Sequence, residues 1–325
     1  VNSLEVLEKQ TVFSISKLPD RPGIAAQIFE TLSKANINVD LIIQATHDGN
    51  NNDIAFTVNE FELTKTIEQC KLITDQLGGE YNFKTNMTKV SIQGAGIMGR
   101  PSVSADLFET LSQANINVRL IATSEIKVSC VVDIDNIPKA IRFVSEKFKL
   151  SDKQIFINPI SEKEDLPAVR GIALDKNQVQ VSLRNLPDKP GIAASICLAL
   201  AESKLIVDTI VQSESLTSFK TKDISFTMNK QDRVLANKVF HSLTKKLAGS
   251  FIEDGPAIAK VSTVGAGMAF KVGTAGKIFR ALANKNINIE MIATSEIRTS
   301  CIVLEKDCDQ AVNAIHSYFE LDKVN

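Results

Sequence analysis

Two short segments place an acid, a proline and a glycine ahead of an apolar stretch: Asp20-Arg21-Pro22-Gly23-Ile24 and Asp188-Lys189-Pro190-Gly191-Ile192. An acid beside a helix N-terminus can hold a ligand's ammonium, and the unpaired N–H groups of the first turn favour a carboxylate. Glycine there lets a ligand approach the backbone. Together these suit a free amino acid, although plain helix capping and turn formation use the same residue types. Other candidates carry less. Gly94-Ala-Gly-Ile-Met-Gly99 has the GxGxxG spacing of a dinucleotide loop. Its counterpart Gly265-Ala-Gly-Met-Ala-Phe270 lacks the third glycine and no long βαβ unit follows, so the segment reads as a tight loop between strand and helix. Gly273-Thr-Ala-Gly-Lys277 fails the phosphate-loop spacing because position 271 is lysine. His47, His241 and His316 stand in unrelated contexts, and Ser124-Glu125 and Ser295-Glu296 have no repeated histidine beside them. No nucleophile–base set follows, and no catalytic residue is assigned.

Composition narrows the class. The chain has 325 residues, 37 Lys+Arg against 38 Asp+Glu, 44% hydrophobic and 23% charged residues. Balanced charge argues against nucleic acid, which calls for a basic face. No apolar run approaches a membrane span and no leader pattern opens the chain, so neither a membrane nor export is expected. Five cysteines without a CxxC pair indicate neither a disulfide framework nor a zinc site. The apolar neighbours of Cys130 and Cys197 suit small buried side chains in a reducing compartment, hence a cytoplasmic location. The first residue is Val1 rather than Met, which implies a processed N-terminus or a piece of a longer protein.

Repeats supply the elements that position these residues. Leu18–Ala26 returns as Leu186–Ala194, and Ala122–Cys130 returns as Ala293–Cys301. Within the first half, Glu30–Ile42 matches Glu109–Ile121 with two differences in thirteen positions, Lys34/Gln113 and Asp40/Arg119. The chain therefore reads as four similar modules. In the first, Thr11–Ile15 alternates as a strand, Pro22 suits the first helical position, and Ile24, Ile28, Phe29 and Leu32 share one helix face. Strands over Ile37–Ile43 and Ile54–Val58 flank the turn at Asp48-Gly49-Asn50, and a helix over Leu63–Leu77 stops at Gly78-Gly79. The second module repeats the order. This βαββαβ pattern predicts an α+β fold of four ferredoxin-like modules. After Phe148 and Phe319 no final strand is evident, whereas spare strands at Leu4–Leu7 and Ile172–Leu174 precede the odd modules, the latter ahead of a turn at 175–177. Each spare strand is expected to complete the even module of its own pair. The pairs are then interleaved: residues 1–150 (modules at about 11–87 and 88–150 plus 3–7), a linker at 151–168, and 169–325 (modules at about 178–256 and 258–320 plus 170–174).

The run Pro-Asp-[Arg/Lys]-Pro-Gly-Ile-Ala-Ala, the later Asp-Ile-[Ala/Ser]-Phe-Thr, and Asn-Ile-Glu-Met-Ile-Ala-Thr-Ser-Glu-Ile-Arg resemble the paired ACT domains of the aspartate kinase regulatory region. Two pairs in tandem resemble the cyanobacterial and plastid type. The resemblance implies an allosteric sensor of lysine and threonine, bound between ACT domains for feedback inhibition of L-aspartate phosphorylation. Carried over by position, the odd modules offer Asp20, Gly23, Ile24, Ala25 and Gln44, and Asp188, Gly191, Ile192, Ala193 and Gln212. The even modules offer Asn117, Val118, Thr123, Ser124 and Glu125, and Asn288, Ile289, Thr294, Ser295 and Glu296. The chain departs from the family's His-Pro-Gly-Val at Arg100-Pro-Ser-Val103 and Lys271-Val-Gly-Thr274. The kinase half is missing, so this chain is expected to bind effectors without being an enzyme itself. It then needs no cofactor, since ATP and magnesium belong to the kinase domain. The expected partners are that domain in the same polypeptide and a second copy, in the cytoplasm or the plastid stroma. The alternative is an ACT-type dimerisation scaffold without ligand binding. Which pair takes lysine, how many sites fill, and whether modules pair within or between chains stay open.

Overall fold

The computed structural model describes residues 1–47, 51–95, 97, 99–159, 166–214, 221–247 and 249–323. The predicted turn at 48–50, Gly96 and Met98 of the glycine loop, and positions 160–165 of the expected linker lie outside the described residues.

The chain runs β1 (Ser3–Pro19), α1 (Ile24–Lys34), β2 (Val39–His47), β3 (Asn51–Asn59), α2 (Leu63–Leu77), β4 (Glu80–Gln93), α3 (Pro101–Gln113), β5 (Leu120–Thr123), β6 (Lys127–Asp133), α4 (Ile137–Phe148) and β7 (Ile155–Ile157). The second half runs β8 (Gly171–Pro187), α5 (Ile192–Glu202), β9 (Val207–Glu214), β10 (Thr221–Asn229), α6 (Arg233–Thr244), β11 (Phe251–Val264), α7 (Thr274–Ala283), β12 (Met291–Ser295), β13 (Arg298–Leu304) and α8 (Cys308–Tyr318). The fold is α+β, with the ferredoxin-like order repeated. Helical period explains α1, whose buried residues Ile24, Ile28, Phe29 and Leu32 share one face. Among the described residues no helix is long and apolar enough to cross a membrane, and no three metal-binding side chains are gathered to hold an ion.

The chain divides into two compact units, the first from residues 1–10, 86–160 and 179–256, the second from 11–85, 161–178 and 257–325. Here the structure corrects the expected packing. The first unit joins the second and third modules, and the second unit joins the first and fourth. Modules that are neighbours in sequence share strands instead. The division falls inside β1, β4, β8 and β11, and Lys9 and Asn86, with φ of 55° and 58°, mark it in β1 and β4.

In the first unit the strands lie in the order β8-β10-β9-β5-β6-β4-β1-β7. Its seam is the antiparallel β5–β9 pair, where Ile121 faces Gln212 and Ala122 faces Val211. Leu4 and Val6 from the start of β1 share the apolar core with Val90, Ile92, Phe108 and Phe226. In the second unit the order is β1-β3-β2-β12-β13-β11-β8, with a β2–β12 seam pairing Gln44 with Ile292. Its core joins Phe13, Phe29 and Phe56 to Phe279, Ile292 and Ile315.

Three further readings are corrected. The spare strand at Ile172–Leu174 and the strand after it are one continuous β8, so no turn interrupts positions 175–177. Residues 151–168 are not linker throughout, because β7 pairs in parallel with β1, Leu4 facing Ile155. α1 begins at Ile24 rather than Pro22, after Gly23 as N-cap at φ 96°.

Candidate functional site

In the second unit, the turn Asp20–Gly23 carries the chain from β1 into α1. The left-handed backbone at Gly23 admits glycine readily, and no side chain caps the first N–H groups of α1. The start of β12's approach, Asn288-Ile289, lies opposite. Between them is a narrow cleft of about 300 Å³, its open mouth included, lined by Gly23, Ile24, Ala25, Gln44, Asn52 and Asn288 among others. Asp20 Oδ1 accepts from Asn52 Nδ2 and from Asn288 Nδ2, each at 2.7 Å. Gln44 Nε2 donates to the Ile289 carbonyl at 2.7 Å. Gln44 Oε1 and Asn52 Oδ1 are buried and have no hydrogen-bond partner. Buried acceptors left unsatisfied cost free energy unless something donates to them. Nearby, burial and the charge of Asp20 push the Glu290 carboxyl above its ordinary range, against the Asn288 amide that pulls it down. The cleft thus has the Arg21 side chain and the open acceptors of Gln44 and Asn52 in its lining, a helix N-terminus at its side, and the Asp20 carboxylate behind Asn52 and Asn288, a combination that suits a zwitterion.

The first unit carries the same frame with different contents. Asp188 Oδ1 accepts from Asn117 Nδ2 at 2.8 Å, and Gln212 Nε2 donates to the Val118 and Arg119 carbonyls at 2.8 and 3.0 Å. Gln212 Oε1, like that of Gln44, is buried without a partner. Lys222 stands where Asn52 does and Arg119 where Glu290 does. Lys222 Nζ lies 2.9 Å from Asp188 Oδ1, and Arg119 Nη1 lies 3.3 Å from Asp188 Oδ2. Burial pushes the Asp188 carboxyl up, but the Asn117 amide, the Lys222 ammonium and the Arg119 guanidinium outweigh it and hold the group below its usual range.

Not all predicted residues meet in one place. Asp20, Gly23, Ile24, Ala25 and Gln44 are joined by Asn288 and Ile289, and Asp188 and Gln212 by Asn117 and Val118. Gly191, Ile192 and Ala193 open α5, with Gly191 held at φ 93° close to Ser112 of α3. Thr123 Oγ1 instead accepts from the Ile210 backbone at 2.8 Å in the β5–β9 seam. Ser124 closes the β5–β6 turn, its N–H donating to the Lys127 carbonyl at 2.8 Å, with Glu125 next in that turn. Thr294, Ser295 and Glu296 line a separate cleft of about 670 Å³, its open mouth included, in the second unit, together with Lys271, Thr274 and Asn38. That cleft is the repeat-related counterpart of the first, with the roles of the two modules exchanged. The residues singled out from the sequence do not include Asn52, which lines the cleft, nor Glu290 beside it, nor Lys222 and Arg119, which stand at the matching positions of the first unit. One signal was present, since Arg119 against Asp40 is one of the two changes in an otherwise identical thirteen-residue repeat.

ACT domain family models match residues 11–69, 90–148 and 261–319, together more than half of the chain. The chain belongs to the ACT domain family. These ACT modules are similar over the whole chain to the crystal structure of aspartate kinase from Synechocystis, with a TM-score of 0.93 and 39% identity, covering 100% of this chain and 57% of that one. An aspartate kinase of Pseudomonas fluorescens is 37% identical over 165 residues, 50% of this chain and 40% of its own length. An aspartokinase of Helicobacter pylori is 42% identical over 162 residues, 50% of this chain and 39% of its own. The chain therefore spans about two fifths of the curated relatives it matches. Its ACT modules are of the aspartate kinase regulatory kind.

Proposed function

We propose that this chain is the feedback-sensing region of an aspartate kinase, binding lysine, threonine or both at the cleft between α1 and Asn288-Ile289 of the second unit. The observation that carries the reading is the pair of buried, partnerless amide oxygens, Gln44 Oε1 and Asn52 Oδ1, in a cleft beside a helix N-terminus, with Asn52 also donating to Asp20. In that geometry Asp20 and the amide oxygens take the effector's ammonium. The first N–H groups of α1 take its carboxylate, and Gln44 and Asn288 fix its orientation. The phosphorylation of L-aspartate belongs to a kinase domain outside this chain, joined to it in one cytoplasmic polypeptide that forms a homodimer through ACT modules. Effector binding inhibits by favouring the less active kinase state, to the extent of its differential affinity for the two.

Calorimetric titration of the chain with L-lysine and with L-threonine tests this. Binding with thermal stabilisation is expected, about 2.7 kcal/mol at a hundredfold excess of ligand over Kd. Absence of heat and of stabilisation with both ligands would overturn the reading.

A further inference from the structure

The two units present the same site in two chemical states. In the second, Asn52 reaches Asp20 with one amide hydrogen, and Glu290 adds a second acid at the position of Arg119. In the first, the Lys222 side chain is only 2% exposed, and its ammonium finds three acceptors. These are Asp188 Oδ1 at 2.9 Å, the Val118 carbonyl at 3.2 Å and Asn117 Oδ1 at 3.3 Å. An ammonium has three N–H bonds, so three acceptors satisfy it. Arg119 occupies the other oxygen of Asp188 and also reaches Asp133 Oδ2 at 3.1 Å.

We propose that the amino-acid site of the first unit is closed by the chain's own Lys222, whose ammonium takes the place that a ligand's ammonium takes in the second unit. Of these two equivalent sites, free amino acid then enters the one at Asp20. A tethered ammonium competes at an effective concentration of order millimolar or higher and never diffuses away. An incoming amino acid would have to displace it and leave a buried lysine without its carboxylate, which is strongly unfavourable. Arg119 adds to the exclusion, because it places a guanidinium where the second unit offers Glu290. The carboxylate of the first unit's site is thereby already occupied by the chain itself. This inference rests on the amino-acid reading of the Asp20 site.

Hydrogen exchange read by mass spectrometry, on the full chain with L-lysine and with L-threonine, separates the two claims. Protection is expected at 20–26 and 286–290, and none at 117–119 or 186–193. Protection of both sets overturns the closed site while leaving the proposed function intact; protection of neither overturns the proposed function. The double variant Lys222→Asn, Arg119→Glu gives the first unit the residues of the second. It is expected to gain one binding site per chain by calorimetry and protection at 186–193. A cooperatively folded double variant without an added site overturns the inference. The reverse variant, Asn52→Lys, closes the second unit's site and lowers its affinity at least tenfold. Unchanged affinity there counts against the inference even if the double variant fails to fold.

Discussion

Asp20 and Asp188 occupy equivalent turns with different company: two amides around the first, an amide, an ammonium and a guanidinium around the second. Removing the second carboxylate strands Lys222. Asp188→Asn is therefore expected to destabilise the first unit by roughly 3 kcal/mol, read from urea unfolding. The same pair has a pH signature. The Asp188 carboxyl titrates below its unfolded value, so its stabilisation is complete above the unfolded pKa of about 4 and is lost as pH falls through the lower folded value. Urea midpoints should hold between pH 7 and 5 and drop below pH 4, and Asp188→Asn should flatten that drop. At the other site, Gln44→Ala removes both the amide that orients Ile289 and the open acceptor. Lysine or threonine affinity is expected to fall about tenfold, the worth of one hydrogen bond of about 1.4 kcal/mol, by calorimetric titration.

At the scale of elements, each unit's paired helices fix the geometry of the cleft. α1 and α7 meet through Phe29 and Phe279, edge to face at 5.5 Å, and through a two-pronged ion pair from Arg280 to Glu30 at 2.7 and 2.6 Å. Phe279→Ala should cost about 3–5 kcal/mol of stability in the second unit and weaken ligand binding with it, read by thermal melts with and without lysine. Gly23→Ala leaves the space uncrowded but forces a Cβ onto a φ of 96°, so a cost of about 1–2 kcal/mol is expected from backbone strain alone. Periodicity made most of these elements legible. The apolar face of α1, the Gly78 stop of α2 and the repeated strand order follow from local residue types. Part of the frame of the candidate cleft was legible as well, because Asp20, Gly23 and Gln44 recur with fixed spacing as Asp188, Gly191 and Gln212. What local pattern could not carry was which copy faces which. Modules two and one present identical segments at Asn115–Val118 and Asn36–Val39, so periodicity gives no preference between sequence neighbours and distant modules as packing partners. β7 was hidden for a similar reason, since Ile155-Phe-Ile157 is too short to show alternation.

Each compact unit is assembled from separated stretches of chain, so the molecule has no cut point that respects its packing. Residues 1–159 alone would carry the first and second modules without the fourth and third that cover them. That fragment is expected to dimerise, its two copies standing in for the missing modules, rather than persist as a compact monomer; sedimentation velocity decides. The buried thiols offer a second check. Burial pushes Cys70, Cys130, Cys197 and Cys301 up to about 12, and all five cysteines are free. A thiol reagent near neutral pH should label the native chain only as fast as it opens, and all five sites at once in denaturant. Because Cys130 and Cys197 belong to one unit and Cys70, Cys301 and Cys308 to the other, the order of labelling reports which unit opens first. The long strands shared between units have a consequence during synthesis. When the ribosome has made the first module, the fourth module, whose Phe279 packs on Phe29 of α1 and which begins near residue 257, is still more than 150 residues away. The first of these modules thus waits longest for its partner, and the growing chain must keep that apolar face from other surfaces until the segment from residue 257 onward has emerged.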